Sequence, residues 1–310
     1  MRIGFDAKRA FLNNTGLGNY SRDTIRVLSN YFPDNKYFLY TPKAKENSRL
    51  SFLNSNSNTF VRTPKSLLNR ALKSYWRSKS IVKDLFTNKI DIYHGLSHEL
   101  PLGIEKTSIK SVVTIHDLIF IRYPHLFSTI DRKIYLKKFK SACERADKII
   151  AISQQTKQDI IDFLDIPESK ITVVYQGCNN IFQKPIAESK KEETLKKHNI
   201  PTEYLLNVGS IEERKNLLTL LQALKELPNQ KLVVIGNGKS YKIKCLRYIK
   251  EYNLSGRVMF LSNLTLEEMA VIYQSAELMI YPSIFEGFGI PILESLFSKT
   301  PVITSKGGCF

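Results

Sequence analysis

Two glutamates, Glu286 and Glu294, lie eight residues apart in the stretch EGFGIPILE near the end of the 310-residue chain. The glycines between them disfavour a helix and Pro291 suits the first turn of one, so Glu286 should lie on a loop and Glu294 on the helix that follows. A carboxylate can accept hydrogen bonds from both hydroxyls of a vicinal diol. The pair therefore predicts contacts with two diols, Glu286 with a sugar and Glu294 with a ribose.

The residues between the two glutamates predict a phosphate site. Backbone N–H groups at the N-terminus of a helix bind anions, and glycines let the backbone approach a phosphate closely. A diol, a diphosphate and a second diol together describe a sugar nucleotide. The residues expected to contact it through the loop and the start of the helix are Gly287, Phe288, Gly289 and Ile290.

A pair of cations follows the apolar run at 204–208, in the stretch GSIEERKN. Arg214 and Lys215 come just before a helix that should begin at Asn216 or Leu217. The positive end of the helix dipole favours acidic residues at this place, so two cations there need another reason. A bound anion supplies one, and the pair predicts a diphosphate contact.

Two further candidates lie in the first half of the chain. His116 ends an apolar run, where it can hydrogen-bond a substrate hydroxyl or share a proton. Gly16 and Gly18 precede a helix expected to begin near Asn19, and the backbone there can approach a phosphate. Ser21 stands where the dinucleotide fingerprint needs its third glycine, which disfavours a nicotinamide site. A tight turn without a ligand is the alternative interpretation of the two glycines.

No metal site and no cofactor are predicted. His94 and His98 lie four residues apart, but Gly95 and Pro101 favour a loop over the helix that this spacing requires. The sequence has no Asp-x-Asp pair, and its four cysteines are far apart without a CxxC pair. This cysteine pattern argues against a zinc ribbon or a disulfide framework and fits a reducing cytoplasm.

These residues need elements that place them together. Short apolar runs alternate with amphipathic stretches, which is typical of parallel strands covered on both faces by helices. Two such series imply an α/β chain with two doubly wound Rossmann-like domains, 1–180 and 203–310, joined by a polar hinge or linker at 181–202. Ligands of such domains bind at the carboxyl ends of the strands, so we expect the site in a cleft that both domains face. The predicted strands are 2–6, 37–41, 91–93, 111–115, 148–152, 171–175, 204–208, 231–235, 257–261, 278–281 and 301–304, and predicted helices include 216–227, 240–252 and 265–274.

The positive charge is concentrated in the first part of the chain. Residues 1–200 carry 34 Lys and Arg against 19 Asp and Glu, whereas residues 201–310 carry 12 against 10. The segment 62–89 has eight Lys and Arg and one Asp, and predicts a basic amphipathic helix able to rest on an anionic membrane surface. A core-facing helix with a solvated charged face is the alternative. The apolar side chains of this segment are Leu67, Leu68, Leu72, Tyr75 and Trp76.

Together these stretches resemble the retaining family-four glycosyltransferases of GT-B architecture. The resemblance rests on the Glu-seven-residues-Glu motif, on GSIEERKN, TIHDL, ADKIIAIS and VVYQGC, and on the N-terminal TGLGNY, in order over essentially the whole chain. It implies that Glu286 contacts the donor sugar, Glu294 the ribose, Arg214 and Lys215 the diphosphate, and His116 the sugar near the reacting centre. Ser210 stands where many members have an arginine, so the diphosphate contact should depend on Arg214 and Lys215 alone.

The resemblance also implies an activity. A hexose, mannose in the most similar members, would move with retention from a GDP- or UDP-sugar to a glycan or lipid-linked acceptor in polysaccharide or O-antigen assembly. No divalent metal and no nucleic acid would take part, and the protein would be cytoplasmic, with a possible peripheral position at the inner face of the membrane. A non-catalytic nucleic-acid- or membrane-binding protein and a sugar-nucleotide epimerase are the rival interpretations.

The last residues, PVITSKGGCF, end on a Gly-Gly loop directly after a predicted strand. The resemblance implies a further strand and further helices beyond this point. We therefore expect the sequence to be a fragment whose second domain is incomplete at its C-terminus.

Overall fold

A computed structural model describes residues 1–309 of the chain and divides it into two compact units. The first comprises Met1–Gln176 and the second begins at Gly177. Each unit is built on one parallel β-sheet with apolar clusters on both of its faces. Two parallel-sheet α/β domains, as predicted from the sequence, are thus confirmed.

The first unit contains a seven-stranded sheet. Its strands are β1 (Arg2–Asp6), β2 (Lys36–Tyr40), β3 (Thr59–Arg62), β4 (Ile92–Gly95), β5 (Lys110–Ile115), β6 (Lys148–Ala151) and β7 (Ile171–Val173). Its α-helices are α1 (Lys8–Leu12), α2 (Gly16–Tyr31), α3 (Leu67–Ala71), α4 (Lys73–Tyr75), α5 (Ile81–Thr87), α6 (Ile119–Arg122), α7 (Thr129–Arg145) and α8 (Gln154–Leu164). The strands are ordered β3-β2-β1-β4-β5-β6-β7 and all neighbours are parallel.

The alternation of side chains along β2 shows how this sheet is covered on both faces. Tyr37 and Leu39 join the apolar cluster that includes Ile25 of α2. Phe38 and Tyr40 join the cluster on the opposite face. Successive residues of a strand point to opposite faces, so a continuous apolar run is what a sheet buried on both sides requires. Burial of each such side chain contributes roughly 1.5–3 kcal/mol.

The second unit contains a five-stranded parallel sheet. Its strands are β8 (Leu205–Val208), β9 (Leu232–Ile235), β10 (Val258–Leu261), β11 (Leu278–Tyr281) and β12 (Val302–Thr304). Its α-helices are α9 (Glu188–Lys197), α10 (Leu217–Lys225), α11 (Ser240–Glu251), α12 (Leu266–Ser275) and α13 (Ile290–Phe297). The order β10-β9-β8-β11-β12 reverses direction between β8 and β11.

The backbone passes very close to itself where β8 and β9 end. Gly209 follows β8 and Gly236 follows β9. A Cβ atom on Gly236 would lie 1.8 Å from the carbonyl oxygen of Gly209, far inside van der Waals contact. Gly236 also has a φ of 157°, which L side chains rarely adopt. The carboxyl edge of this sheet therefore requires glycine at 236.

All eleven predicted strands are present, with ends that differ from the prediction by at most two residues. The three predicted helices are present as α10, α11 and α12. The prediction missed β3, because this edge strand pairs only with β2 and its four residues form no continuous apolar run.

The prediction that Gly16 and Gly18 precede a helix beginning near Asn19 is wrong. Helix α2 begins at Gly16, with Thr15 as its N-cap in an extended conformation, so both glycines lie in its first turn. The side chain of Asn13 fixes this start, because its Oδ1 accepts hydrogen bonds from the N–H groups of Thr15 at 2.9 Å and Gly18 at 3.1 Å.

The prediction of one continuous amphipathic helix over 62–89 is also wrong. The segment is divided into α3, α4, a π-helical turn at Trp76–Ser80 and α5. Trp76 is fully buried, and its indole N–H donates to Asp84 Oδ2 at 2.6 Å, so it does not belong to the outer face. The leucines Leu67 and Leu68 are exposed, as the membrane-surface interpretation requires.

The segment predicted as a linker, 181–202, contains α9 and lies within the second unit. Phe182 is 1% exposed and packs edge-to-face against Tyr273 of α12. A linker role for 181–202 stays a prediction.

A capping box starts α12 and also ties it to α9. The Thr265 side chain accepts a hydrogen bond from the N–H of Glu268, and Glu268 Oε2 accepts one from the N–H of Thr265 at 2.8 Å. Glu268 Oε1 accepts from Lys197 Nζ at 2.8 Å and lies 2.9 Å from His198 Nε2. The hydrogen bond from Lys197, followed by the one from Thr265, lowers the pKa of Glu268 to about 2.

We expect Glu268→Gln to destabilise the second unit by roughly 1 kcal/mol at pH 7, because glutamine can still cap α12 but loses the negative charge that accepts from Lys197 and favours the helix N-terminus. Because the pKa of Glu268 is lower in the folded state, its contribution is complete above about pH 4.5 and is lost as the pH falls towards 2. Thermal unfolding of wild type and variant between pH 7 and pH 2.5 measures the difference. Glu267→Gln, at the exposed neighbouring position, is the control and should change little. A difference that stays constant over this pH range would contradict the assignment.

Candidate functional site

Strands β8 and β11 are neighbours at the point where the strand order of the second sheet reverses. Each is followed by a loop that leads into a helix, 209–216 before α10 and 282–289 before α13. Doubly wound sheets bind their ligands beyond the carboxyl ends of the strands at such a reversal. The fold therefore brings the stretches GSIEERKN and EGFGIPILE to the same edge of one sheet.

The two cations lie on a tight turn between β8 and α10. Residues Glu213–Lys215 form a short 3₁₀ turn, and Asn216 adopts a left-handed conformation with a φ of 57°. Asparagine tolerates this conformation better than most residues, which allows α10 to begin immediately afterwards. The N–H of Ile284 donates to the carbonyl of Arg214 at 2.9 Å, so the backbones of the two loops are joined.

Arg214 and Lys215 converge on the carboxylate of Glu286. Lys215 Nζ donates to Glu286 Oε1, and Arg214 Nη1 lies 2.8 Å from Glu286 Oε2. The guanidinium of Arg214 also donates to the carbonyl of Phe285 at 2.5 Å and pairs with Glu212 at 2.8 Å. Glu286 is only 7% exposed. The structure thus places three of the predicted site residues in one buried ion cluster, with each carboxylate oxygen of Glu286 held by one cation.

The cluster shifts the ionisation of its members. Burial acts to raise the pKa of Glu286, but attraction to Lys215 and Arg214 outweighs it and leaves this pKa lowered. Burial lowers the pKa of Lys215, and Glu286 opposes that shift only in part. Glu286 is therefore ionised at neutral pH, and together with Glu212 it supplies two carboxylates to the two cations. Because Arg214 and Lys215 are largely buried, water screens them little, and each can act strongly on an anion bound beside it.

Tyr281, the last residue of β11, joins the cluster and was missed by the sequence analysis. Its hydroxyl accepts a hydrogen bond from Lys215 Nζ at 2.7 Å and donates one to Glu286 Oε1 at 3.0 Å. The side chain is 1% exposed. Its place at the end of a buried strand is a signal in the sequence, because a buried tyrosine hydroxyl usually needs a polar partner.

Glu294 lies on the second turn of α13, while Glu286 lies on the preceding loop, as the spacing predicted. Glu294 is 7% exposed, and its Oε2 accepts a hydrogen bond from the hydroxyl of Tyr273 at 2.8 Å. Tyr273, on α12, was also missed by the sequence analysis. The two glutamates are thus held by different partners on different elements.

The loop between the two glutamates forms the N-terminus of α13. Gly287 and Gly289 are buried, and Phe288 and Ile290 are half-buried. Gly289 has a φ of 94°, which favours glycine, and Ile290 is the first residue of the helix. This is the arrangement that the predicted phosphate contact requires, since it directs backbone amides to the same edge of the sheet.

His116 belongs to the first unit, directly after β5. It is 4% exposed, and its Nε2 lies 2.9 Å from the carbonyl oxygen of Leu96. A carbonyl only accepts, so Nε2 carries the proton and Nδ1 is an acceptor when the ring is neutral. Burial lowers the pKa of His116 to about 4, which keeps the imidazole neutral at physiological pH. The ring of Tyr20 meets it edge-on, with ring centroids 4.6 Å apart.

The other two histidines near β4 are buried and belong to the same network. His94 Nε2 lies 2.8 Å from the hydroxyl oxygen of Thr114, and His98 Nδ1 accepts a hydrogen bond from the N–H of His116 at 3.4 Å. Within residues 1–309, no group of three or more His, Cys, Asp or Glu side chains is arranged to hold a metal ion.

Gly16 and Gly18 also belong to the first unit, and the structure distinguishes between them. A Cβ on Gly18 would lie 1.9 Å from the carbonyl oxygen of Asn13, so close backbone packing requires glycine there. The N–H of Gly18 already donates within this turn, to Asn13 and Thr15. A Cβ on Gly16 would meet no atom within 4 Å, so packing does not explain that glycine.

Across the part of the chain that the structure describes, none of the helices combines the length and the apolar character needed to cross a bilayer. Cys143, Cys245 and Cys309 are free thiols. Burial raises the pKa of Cys143 and of Cys309 to about 12, so neither thiol is reactive at neutral pH.

Two family descriptions match the chain, one over each part. Glycosyltransferase Family 4 matches residues 16–180, and Glycosyl transferases group 1 matches residues 190–310. The first match alone covers more than half of the chain.

The curated relatives that match are longer than this chain. The serotype-specific mannosyltransferase WbdA of Escherichia coli is 30% identical over 213 residues, which is 66% of this chain and 26% of that protein. The O-antigen chain mannosyltransferase RfbU of Salmonella typhimurium is 27% identical over 234 residues, 75% of this chain and 60% of that protein.

Solved structures share the fold. Sucrose-phosphate synthase from Thermosynechococcus elongatus superposes with a TM-score of 0.77 at 20% identity, covering 99% of this chain and 82% of that one. HepE from Anabaena, solved in complex with UDP and glucose, gives a TM-score of 0.74 at 18% identity, covering 100% and 82%. The sequence matches and the pair of parallel-sheet units lead to one conclusion: the chain belongs to Glycosyltransferase Family 4 and has the GT-B fold.

Proposed function

We propose that this protein transfers a hexose from a nucleoside diphosphate sugar to a glycan or lipid-linked acceptor, with retention of configuration. The observation that carries this is the convergence of Lys215 and Arg214 on Glu286 at the strand reversal of the second unit. Names of the relatives support mannose as the sugar, and HepE, solved in complex with UDP and glucose, supports a nucleotide as part of the donor.

The cations would act on the leaving group. Glycosyl transfer passes through an oxocarbenium-like state while negative charge develops on the departing nucleoside diphosphate. Arg214, Lys215 and the amides at the start of α13 would stabilise that charge. Their ion pairs with Glu286 already hold the two cations in position, so little reorganisation would be needed when the bond breaks.

The remaining residues would hold the two ends of the donor. Glu286 would accept hydrogen bonds from the transferred sugar, and Glu294 from the ribose. His116, whose Nδ1 is an acceptor in the neutral ring, would take a sugar hydroxyl. The backbone of the loop before α13 would line the phosphate, through Gly287, Phe288, Gly289 and Ile290. Packing does not require glycine at position 16, and Gly16 would also contact a phosphate.

A thermal-shift screen with GDP, UDP, ADP and their sugars tests the proposal. A ligand at about 100 times its Kd should stabilise the protein by about 2.7 kcal/mol. Interconversion of a sugar nucleotide without an acceptor would favour an epimerase. Salt-dependent DNA binding with no response to any sugar nucleotide would favour a nucleic-acid-binding protein.

Lys215→Ala should lower turnover at least about tenfold, because one preorganised donor to a developing charge acts on this scale or above. Release of nucleoside diphosphate from GDP-mannose and UDP-glucose measures it. Lys225→Ala, a lysine at the end of α10 that pairs with exposed Glu226, is the control and should keep wild-type turnover. Near-normal turnover of Lys215→Ala would remove Lys215 from the site.

Transfer should not depend on a divalent metal. We expect full turnover after dialysis against EDTA, since the positive charge needed by the leaving group comes from side chains. Loss of turnover with EDTA and its recovery with manganese would contradict this expectation.

We also propose an anionic membrane surface as a partner of the first unit, which would be peripheral at the cytoplasmic face. The segment 65–79 exposes four large apolar side chains and four cations. No Asp or Glu lies between residues 62 and 83 to neutralise these cations. Anionic headgroups complement such a surface while its apolar side chains enter the interface. The apolar residues are Leu67 at 83% exposure, Leu68 at 62%, Leu72 at 50% and Tyr75 at 46%, and the cations are Lys65, Arg70, Lys73 and Lys79.

Co-sedimentation with phosphatidylglycerol vesicles tests this surface. The double substitution Leu67→Ser with Leu68→Ser should weaken binding at least about tenfold, because two side chains no longer enter the interface. Ile243→Ser with Leu246→Ser on α11 is the matched control, since these residues are 53% and 43% exposed and also lie among lysines. Equal loss in both variants, or equal binding to phosphatidylcholine vesicles, would contradict the proposal.

A further inference from the structure

Two buried tyrosines each contact one of the two glutamates of the candidate site. The hydroxyl of Tyr281 donates to Glu286 Oε1 at 3.0 Å, and that of Tyr273 donates to Glu294 Oε2 at 2.8 Å. Tyr281 ends β11 and Tyr273 lies on α12, so the two contacts come from different elements. Both side chains are at most 1% exposed, which holds them in fixed orientations.

Tyr281 closes a triangle of hydrogen bonds with Glu286 and Lys215. An ammonium group only donates and a carboxylate only accepts, whereas a phenol does both. The Tyr281 hydroxyl accepts a hydrogen bond from Lys215 Nζ at 2.7 Å and donates one to Glu286. One rigidly held hydroxyl therefore orients both charged groups. Phenylalanine at 281 would fill the same space and remove both contacts.

Tyr273 is anchored at its backbone, its ring and its hydroxyl. Thr300 Oγ1 donates to its carbonyl at 2.5 Å, and its ring packs edge-to-face on Phe182 with centroids 5.4 Å apart. A hydrogen-bond donor on so rigid a side chain fixes the direction of the Glu294 carboxylate.

We propose that Tyr281 and Tyr273 are positioning residues that set the carboxylates of Glu286 and Glu294 before the donor binds. The inference rests on the proposed function, in which these glutamates meet the sugar and the ribose. Ordering a mobile glutamate side chain when a ligand binds costs conformational entropy, which lowers the affinity or the rate. A hydrogen bond that orders the side chain beforehand removes this cost. Displacing a reacting group by about 1 Å can slow catalysis by about a hundredfold.

The two tyrosines should affect different kinetic constants. Glu286 would contact the sugar whose bond breaks, so its misplacement weakens transition-state binding and lowers kcat. Glu294 would contact the ribose, which keeps its structure during the reaction, so its misplacement raises KM. A tyrosine that only stabilises the fold would produce no such division.

The test compares Tyr281→Phe, Tyr273→Phe and Tyr204→Phe in the full chain, with UDP-glucose and GDP-mannose as probes. Tyr204 is a matched control: it is equally buried in the second unit, but its hydroxyl donates to the backbone carbonyl of Ile272 at 2.6 Å. We expect Tyr281→Phe to lower kcat about tenfold or more, and Tyr273→Phe to raise the donor KM about tenfold with kcat within about twofold of wild type. Tyr204→Phe should change neither constant.

Two further readouts separate positioning from stability. Loss of the Tyr281 hydrogen bond should move the acidic limb of the pH–rate profile to higher pH, since a donor to Glu286 favours its ionised form. In a Glu286→Gln background, Tyr281→Phe should have less than about threefold further effect, because the two residues act on one interaction. If Tyr281→Phe prevents folding, 3-fluorotyrosine can be placed at position 281 only, which keeps the hydroxyl. Because its hydroxyl is a stronger donor, the acidic limb of the pH–rate profile should then move to lower pH.

A wild-type chain that neither binds nor turns over any sugar nucleotide would contradict the proposed function and this inference together. A wild type that transfers, with Tyr281→Phe and Tyr273→Phe matching Tyr204→Phe, would contradict the inference alone. The inference would also be overturned if the pH–rate profile were unchanged both in Tyr281→Phe and in the protein with 3-fluorotyrosine at position 281.

Discussion

The ion cluster of Glu286 with Lys215 and Arg214 is the interaction on which the candidate site of the second unit depends. It joins the loop after β8 to the loop after β11, two segments that are more than 60 residues apart in sequence but adjacent in the sheet. A hydrogen bond from Ile284 to the carbonyl of Arg214 supports the same junction. The parallel sheet brings the loops together, and the cluster fixes their side chains in one orientation.

Such a cluster is a poor way to stabilise a fold. Removing charges from water costs several kcal/mol per ion, and attraction between them offsets this only when the geometry is good. Glu286 meets that condition because each of its oxygens has its own cationic partner. Apolar residues at this buried place would stabilise the protein at least as well as the charged ones. Such a departure from good core design is typical of functional sites.

The sequence predicted that the residues of the candidate site lie close together, but it did not predict the contacts between them. Apolar runs located the ends of β8 and β11, and the rule that ligands bind there placed Lys215 near Glu286. The direct ion pair was not predicted, because sequence reasoning assigned the cations to a diphosphate and the carboxylate to a sugar. Tyr281 and Tyr273 were missed since buried tyrosines in apolar runs look like core residues. The error for Trp76 was the opposite one, because a core residue was assigned to the exposed face of an amphipathic helix. The π-helical turn that buries it has no simple sequence pattern.

The contact between Gly236 and the carbonyl of Gly209 lies at the base of this same edge. Any side chain at 236 would push the ends of β8 and β9 apart, and with them the turn that carries Arg214 and Lys215. Substitutions in the neighbouring loops that test the proposed donor site should therefore keep glycine at 236. The constraint comes from the backbone geometry, so it does not depend on which ligand is tested.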